Sequence, residues 1–181
     1  DIDKLDYLQR DSLHAGVPYG RNFDRNRLIN GLRYCSESNQ LTISSKALTA
    51  TEMMVFARYV MFSEVYWHRT VRSATSMLQR SLFTIHDQAA VIQRLITSTE
   101  SEFQTVLRAS DKTGIADSLF GPKRKLYKSV FETNASTDAE VYSAARTHDF
   151  ENLVAASTRL ANRLQIPPQA VIIDAAHKQI E

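Results

Sequence analysis

The first helix-forming segment carries five polar side chains that could act together on one ligand. At 100° per residue, Asp3, Tyr7 and His14 lie within about 40° of one another, and Lys4 and Asp11 widen this stripe to about 100°. The opposite side of the same helix is apolar and holds Ile2, Leu5, Leu8 and Leu13. The spacing therefore predicts a surface that combines two carboxylates, an amine, a phenol and an imidazole.

These residue types suit a phosphorylated ligand. A carboxylate such as Asp3 can bind a divalent cation, and the Lys4 amine can neutralise a phosphate oxygen. The Tyr7 ring offers a packing surface, and the Asp11 carboxylate can accept a sugar hydroxyl. The same spacing is also typical of a surface helix with scattered charges, in which Asp3 stabilises the N-terminal end of the helix dipole.

The segment DIDKLDYLQRDS at 1–12, followed by His14 and Gly16, resembles the end of the catalytic core of HD-superfamily phosphohydrolases. The likeness is to the branch that includes deoxynucleoside triphosphate triphosphohydrolases. It implies that Asp3 is a catalytic metal ligand, the last in a set made of a histidine, a His-Asp pair and a distant aspartate.

The same resemblance implies substrate contacts for three further residues of this segment. Lys4 would contact phosphate, Tyr7 would line the nucleotide pocket, and Asp11 would face the sugar.

A second segment, ARYVMFSEVYWHR at 57–69, resembles the helix that follows the core in the same family. The resemblance implies that Arg58 binds phosphate and that Tyr66 lines the nucleotide pocket. Helical spacing places Arg58, Phe62, Tyr66 and Arg69 on one face. An amphipathic core helix whose arginines extend to solvent would show the same spacing.

The remaining metal ligands of the family should precede Asp3, and the chain offers none there. Its two His-Asp dipeptides, His86-Asp87 and His148-Asp149, follow Asp3 and so stand in the wrong order. Asp149 is typical of a helix N-cap, and His86-Asp87 of a helix start. We therefore expect a fragment of a longer enzyme, whose divalent cation the fragment itself does not retain.

The chain as a whole predicts a mainly α fold with a small β-hairpin. Residues 1–20 are expected to be the last helix of an HD core, 21–48 a hairpin insertion, and 49–181 a helical region that follows the core and is truncated at its C-terminal end. The first helix should end at Gly16, and the hairpin strands should span 28–35 and 41–45.

Capping signals locate the later helices. Thr49 with Glu52 predicts the start of a long helix that reaches about Leu82, and the pairs Thr99–Glu102 and Thr137–Glu140 repeat the pattern. Helical apolar spacing covers 150–164, and the β-branched run at 171–173 could begin a strand.

Composition excludes several classes of protein. The 181 residues carry a formal net charge of +2, so composition gives no reason to expect binding to nucleic acid or a membrane surface. Apolar runs fall short of the roughly 20 residues that span a bilayer. Cys35 is the single cysteine, which fits a reducing cytoplasm and excludes an internal disulfide. The run at 123–125 is typical of a solvated basic surface, with a nucleotide contact as the alternative.

The resemblance implies that the parent enzyme hydrolyses a deoxynucleoside triphosphate to nucleoside and triphosphate, and that it forms a homo-oligomer. Two alternatives stay open. An HD phosphohydrolase could act instead on a nucleoside monophosphate or a cyclic dinucleotide. The region could also be a non-catalytic oligomerisation or effector-binding module, in which His68, Arg69 and Arg72 bind an anion at a subunit interface.

Overall fold

The structure is a computed structural model that describes residues 2–147 and 149–175. This part of the chain is mostly helical, as predicted, with one small antiparallel sheet. The helices are α1 (Ile2–Ala15), α2 (Arg25–Gly31), α3 (Leu48–Met61), α4 (Arg69–Phe83), α5 (Ala89–Thr97), α6 (Glu100–Ser110), α7 (Ile115–Phe120), α8 (Ala139–Thr147) and α9 (Phe150–Arg163). The strands are β1 (Leu32–Cys35) and β2 (Gln40–Ile43).

The chain divides into two compact units, residues 1–68 and 69–181. The assignment of residues 1–20 to an HD core stays a prediction. None of the helices in the described ranges is both long and apolar enough to cross a membrane.

The first unit is built on the apolar side of α1. Leu5 and Leu8 are buried in one cluster with Ala57 and Met61 of α3. Leu13, which the sequence places on the same apolar side, is 59% exposed. The helix ends at Ala15, and Gly16 has a φ of 69°, so the predicted glycine cap is confirmed.

A close backbone approach holds the segment after α1 against that helix. The Ser12 hydroxyl donates to the carbonyl of Val17, and the amide of Gly20 donates to the Ser12 oxygen at 3.3 Å. A Cβ atom on Gly20 would lie 2.0 Å from the carbonyl oxygen of Leu8. Only glycine therefore lets the 3₁₀ turn Tyr19–Arg21 contact the backbone of α1.

The predicted hairpin is confirmed, but both strands are shorter than expected: β1 starts after residue 28, and β2 ends at Ile43 instead of residue 45. Leu28 lies in α2, which begins where the Asp24 side chain accepts a 2.9 Å hydrogen bond from the amide of Arg27. This cap commits 25–31 to a helix, so β1 starts only at Leu32.

The prediction of one continuous helix from Thr49 to Leu82 is wrong. The α3 helix ends at Met61, a π-helical turn follows at Phe62–Tyr66, and α4 begins at Arg69. The rings of Phe62 and Trp67 stack with centroids 5.5 Å apart, and the amide of Trp67 donates to the carbonyl of Phe62 at 2.7 Å. These two contacts close the wider turn and end the helix.

The predicted cap at Thr49 is also wrong. Ala47 is the N-cap of α3 and closes the preceding 3₁₀ turn Ser45–Ala47, so that no side chain caps the helix. The chain enters α3 from a turn that is already helical, which leaves Thr49 inside the first helical turn.

The capping predictions for the second unit have mixed outcomes. The box formed by Thr99 and Glu102 is confirmed at α6, and Asp149 caps α9 through a 2.8 Å bond from the amide of Asn152. At α8 the cap is Asp138 instead of Thr137, because its carboxylate accepts from the amide of Val141 at 3.1 Å.

Two further predictions for this unit fail. His86-Asp87 does not start a helix, since α5 begins at Ala89 with Gln88 as N-cap. Residues 171–173 form no strand within the described residues, because no other strand there pairs with them.

Candidate functional site

The α1 helix presents Tyr7 and Asp11 one turn apart, and both side chains are half-buried. The burial of Leu5, Leu8 and Ser12 fixes the rotation of the helix. Because residues four positions apart on a helix are neighbours, the phenol and the carboxylate share one face.

The π turn brings Tyr66 onto this face. Its hydroxyl donates a 2.6 Å hydrogen bond to Oδ2 of Asp11, and its ring meets that of Tyr7 edge to face with centroids 6.3 Å apart. Three of the residues that the resemblance assigns to a nucleotide pocket therefore contact one another. We call Tyr7, Asp11 and Tyr66 the tyrosine–aspartate cluster.

The electrostatics of this cluster keep Tyr66 as the donor and Asp11 as the acceptor of the hydrogen bond between them. Burial raises the pKa of Tyr66 well above its ordinary value, and the hydrogen bond to Asp11 and the charge of that carboxylate raise it further. The phenol thus remains a donor. The other carboxylate oxygen, Oδ1 of Asp11, lies 3.5 Å from Nε of Arg10 and retains lone pairs that a ligand hydroxyl could use.

The other α1 candidates lie along the same helix at different depths. Asp3 is exposed in the first turn, Lys4 is half-buried, and His14 is exposed in the last turn. Asp3 precedes Tyr7 by four positions and so lies on the face that leads to the tyrosine–aspartate cluster.

Arg58 is exposed on α3, and its guanidinium makes no hydrogen bond or ion pair with the residues that the structure describes. The predicted single face of Arg58, Phe62, Tyr66 and Arg69 is wrong, because the π turn changes the residue spacing and Arg69 begins another helix. Arg58 remains a candidate phosphate-binding residue because its side chain is exposed, and not because it shares a face with Phe62, Tyr66 and Arg69.

A complete metal centre is absent from residues 2–147 and 149–175: no group of three or more His, Cys, Asp or Glu side chains there could hold a cation. Asp3 fits a divalent metal by residue type but supplies one donor only. His86 stacks on Phe83 with ring centroids 4.8 Å apart, and its Nδ1 lies 2.6 Å from the Phe83 carbonyl oxygen. His148 lies outside the described residues.

The alternative anion site at the start of α4 loses one of its cations. Nε of Arg72 donates to Oδ2 of Asp174 at 2.8 Å, and Nη2 of Arg72 contacts Oδ1 of the same carboxylate. This bidentate ion pair already neutralises Arg72 within the chain.

Sequence reasoning missed two buried polar groups of the second unit. The Asp111 carboxylate accepts hydrogen bonds from the Ser81 hydroxyl at 2.9 Å and from the amide of Ala116 at 2.7 Å. Buried Arg80 donates to the Ser157 hydroxyl at 2.9 Å. The turn-forming sequence Asp-Lys-Thr-Gly at 111–114 could have indicated the first, whereas no local pattern marks the second.

This unit also contains an open cavity of about 620 Å³, whose lining includes Phe83, Phe103 and Phe150. Its walls are mainly apolar, with Gln79 and His86 as the polar residues. A nucleotide needs several converging polar groups to fix its phosphates, so this cavity does not suit the predicted ligand.

One family of known proteins matches most of the chain. The family described as the HD associated region matches residues 23–180. The uncharacterized protein YwfO of Bacillus subtilis is 32% identical over 122 residues, which are 66% of this chain and 28% of that protein. An uncharacterized protein of Methanocaldococcus jannaschii is 32% identical over 114 residues, 61% of this chain and 25% of the relative.

A third relative, named as an HD domain-containing protein, comes from Acanthamoeba polyphaga mimivirus. It is 32% identical over 100 residues, 55% of this chain and 21% of its own length. The matched part of the chain thus spans between about a fifth and somewhat over a quarter of these relatives. Since the family match covers most of the sequence, the chain belongs to the HD associated region family.

Proposed function

We propose that this chain is part of a longer, metal-dependent HD-superfamily phosphohydrolase, and that the parent hydrolyses deoxynucleoside triphosphates to nucleoside and triphosphate. The family assignment supplies the HD context. The short share of each relative that the chain matches supports a longer polypeptide. The single cysteine suits a reducing cytoplasm.

The hydrogen bond between Tyr66 and Asp11 is the observation that carries the proposal. It joins two residues that the resemblance assigns independently to the same pocket. With the Tyr7 ring alongside, the cluster offers an aromatic wall and a fixed carboxylate that can accept a sugar hydroxyl. Such a surface can orient a nucleoside, but it cannot by itself cleave a phosphate ester.

The charged candidates would complete this surface in the parent. Lys4 and Arg58 would neutralise the phosphate oxygens by charge-assisted hydrogen bonds. Asp3 would supply one ligand of a divalent cation, which in this class of enzyme polarises the phosphoryl group and lowers the pKa of the attacking water. The other metal ligands would come from the rest of the parent, so we expect the isolated chain to be inactive.

Release of inorganic triphosphate from deoxynucleoside triphosphates by the purified parent, with Mg²⁺ or Mn²⁺, tests this function. We expect Asp3→Ala to lower kcat by at least about 100-fold, because the loss of a metal ligand disables the cation. Asp6→Ala is the matched control, since Asp6 is an exposed carboxylate on the same helix in a surface pair with Arg10.

Full turnover by Asp3→Ala with unchanged metal content would contradict the assignment of Asp3. Nucleoside monophosphates and cyclic dinucleotides, assayed in parallel, would reveal the alternative substrates. Metal-dependent triphosphate release by the isolated 181-residue chain would contradict the proposed dependence on residues outside it.

A further inference from the structure

The cavity of the second unit lies among α4, α5, α6 and the start of α9, and the residues that line it all belong to that unit. Its volume of about 620 Å³ falls within the range of about 300–1,000 Å³ that is usual for small-molecule sites. A cavity of about 150 Å³ is enough to hold one benzene ring. The space therefore accommodates a ligand of two or more fused rings.

Aromatic rings make up much of the wall. The Phe83 ring stacks on the imidazole of His86 with an angle of 12° between the planes, and it meets the Phe150 ring edge to face with centroids 5.4 Å apart. Phe103 lines the same cavity. Aromatic rings attract other rings through stacked and edge-to-face contacts. The wall thus suits a ligand with a planar aromatic body.

The composition of the lining also restricts the charge of the ligand. Within the described part of the chain, no carboxylate, ammonium or guanidinium group lines the cavity. An ionised group that enters an apolar site without a partner loses much of its hydration energy, so the ligand should be uncharged. The two polar lining residues, Gln79 and His86, are both exposed, which places them at the mouth of the cavity.

The hydrogen bond of His86 predicts which polar group the ligand carries. Nδ1 of His86 lies 2.6 Å from the carbonyl oxygen of Phe83, and because a carbonyl oxygen can only accept, Nδ1 carries a proton. In the neutral ring Nε2 is then an acceptor. Nε2 makes no hydrogen bond with the residues that the structure describes. A hydroxyl or N–H group of a ligand can therefore donate to it.

We propose that this cavity binds a planar, uncharged aromatic molecule of two or three fused rings, which donates a hydrogen bond from a hydroxyl or N–H group to Nε2 of His86. A peptide segment suits the cavity less well, because every residue adds backbone groups that need partners. The site goes beyond the proposed phosphohydrolase activity, whose assigned residues all belong to the first unit.

Binding of 2-naphthol, which has two fused rings and one hydroxyl, to the 181-residue chain tests the proposal. NMR titration of the ¹⁵N-labelled chain should give a Kd on the order of 0.1–1 mM, as expected for a ligand of this size. The largest amide shifts should fall at the residues that line the cavity. The ether 2-methoxynaphthalene keeps the rings but cannot donate, so its Kd should be at least about fivefold higher.

A charge in the wall provides a second readout. Ile96 lines the cavity and is 74% exposed, so the fold should tolerate Ile96→Glu. This variant should raise the Kd for 2-naphthol at least about fivefold, because the ligand would cover a carboxylate. Gln93→Glu is the matched control, since it adds the same charge to α5 at an exposed position outside the lining. Its Kd should stay near that of the wild type.

His86→Phe isolates the predicted hydrogen bond. The new ring can still stack on Phe83, but it has no acceptor nitrogen. The variant should therefore bind 2-naphthol and 2-methoxynaphthalene with similar affinity. Circular dichroism of every variant verifies that the helices remain folded.

A wild-type chain that does not bind 2-naphthol up to the solubility limit of the ligand would overturn the proposal. Equal Kd values of the wild type for the two ligands would contradict the hydrogen bond to His86, as would a preference that His86→Phe leaves intact. Equal effects of Ile96→Glu and Gln93→Glu would place the ligand elsewhere. Binding to this chain but not to the longer parent would also refute the site, because another part of the parent would then fill the cavity.

Discussion

The phenolic oxygen of Tyr66 lies 2.6 Å from Oδ2 of Asp11, although 55 positions separate the two residues in the sequence. The bond links the first helix of the chain to the π turn after α3. It therefore has a structural role, in joining two elements, and a proposed functional one, in fixing the carboxylate that would face a sugar.

Tyr66→Phe tests the structural role. Loss of a hydrogen bond to a partly buried carboxylate should lower the free energy of unfolding by about 1–2 kcal/mol. Urea titration followed by circular dichroism measures this change. Tyr59→Phe is the control. Tyr59 is 63% exposed, so folding removes little of its side chain from water, and loss of its hydroxyl should change the stability little. Equal effects of the two substitutions would show that the bond adds no stability.

The two glycines that flank the segment after α1 should respond differently to alanine. At Gly20 a Cβ atom would meet the Leu8 carbonyl oxygen at 2.0 Å, so the turn must move away from α1, at a cost of about 3 kcal/mol or more. At Gly16 the added atom meets nothing within 4 Å, and only the positive φ of 69° opposes it, at about 1 kcal/mol. Thermal unfolding of both variants gives the comparison, and a Gly20→Ala protein as stable as Gly16→Ala would refute the close approach.

Asp111 should make the stability of the second unit sensitive to acid. Burial raises the pKa of its carboxyl group, but hydrogen bonds from Thr113, Ala116 and Ser81 outweigh burial and hold the pKa below the ordinary value of 3.8. A depressed pKa in the folded state stabilises the protein at pH values above that ordinary value. This stability is lost as the pH falls below about 4 and through the folded-state pKa.

We therefore expect Asp111→Asn to lower the free energy of unfolding at pH 7 by about 1–3 kcal/mol, since an amide nitrogen would face N–H and O–H donors. The variant should also lose less stability than the wild type between about pH 4 and pH 2. Asp117→Asn is the control, because its carboxylate pairs with Arg108 at the surface. Parallel acid profiles for wild type and Asp111→Asn would count against the prediction.

Lys4 and Arg58 should act on one ligand in the parent enzyme. Replacing either with alanine should weaken the binding of inorganic triphosphate by about 1.5–3 kcal/mol through the loss of a charge-assisted contact. The double variant should depart from additivity, because both charges would bind the same phosphate chain. Arg10→Ala, the loss of an exposed arginine of α1, is the control for calorimetric titration.

Asp11→Asn should give a different pattern from these two substitutions. It should lower kcat/KM for the nucleoside triphosphate more than it lowers the affinity for free triphosphate, because Asp11 is assigned to the sugar. Strictly additive effects of Lys4→Ala and Arg58→Ala would indicate that the two side chains act independently, and would contradict the prediction that they bind the same phosphate chain.

Local signals in the sequence predicted those elements whose boundaries depend on neighbouring residues. The glycine at position 16 ends α1, and the Thr99–Glu102 box starts α6, because both features act within one turn. At α8 the predicted position was wrong by one residue, since the Asp138 carboxylate accepts from the amide of Val141 while the Thr137 hydroxyl donates to the Asn134 side chain. Competing caps of similar strength cannot be ranked from sequence alone.

Such reasoning did not reach a segment for which the sequence allows two local geometries, nor a bond that depends on distant contacts. The π turn at 62–66 is closed by the stacking of Phe62 on Trp67. The pattern of residues in this segment is equally compatible with a continuous α-helix. For the site, the resemblance assigned both Tyr66 and Asp11 to a pocket, but the bond between them follows only from the packing of α1 against α3. The proposed roles of Asp3, Lys4 and Arg58 stay predictions.

The π turn has a consequence for comparisons within the family. Its hydrogen bonds span five residues instead of four, so the turn accommodates one more residue than a regular α-helical turn between the same end points. A relative that closes this turn as a regular helix needs one residue fewer between the equivalents of Arg58 and Trp67. Aligned sequences should therefore differ by a single-residue gap here, and members without the extra residue should also lack the equivalent of the Tyr66–Asp11 bond.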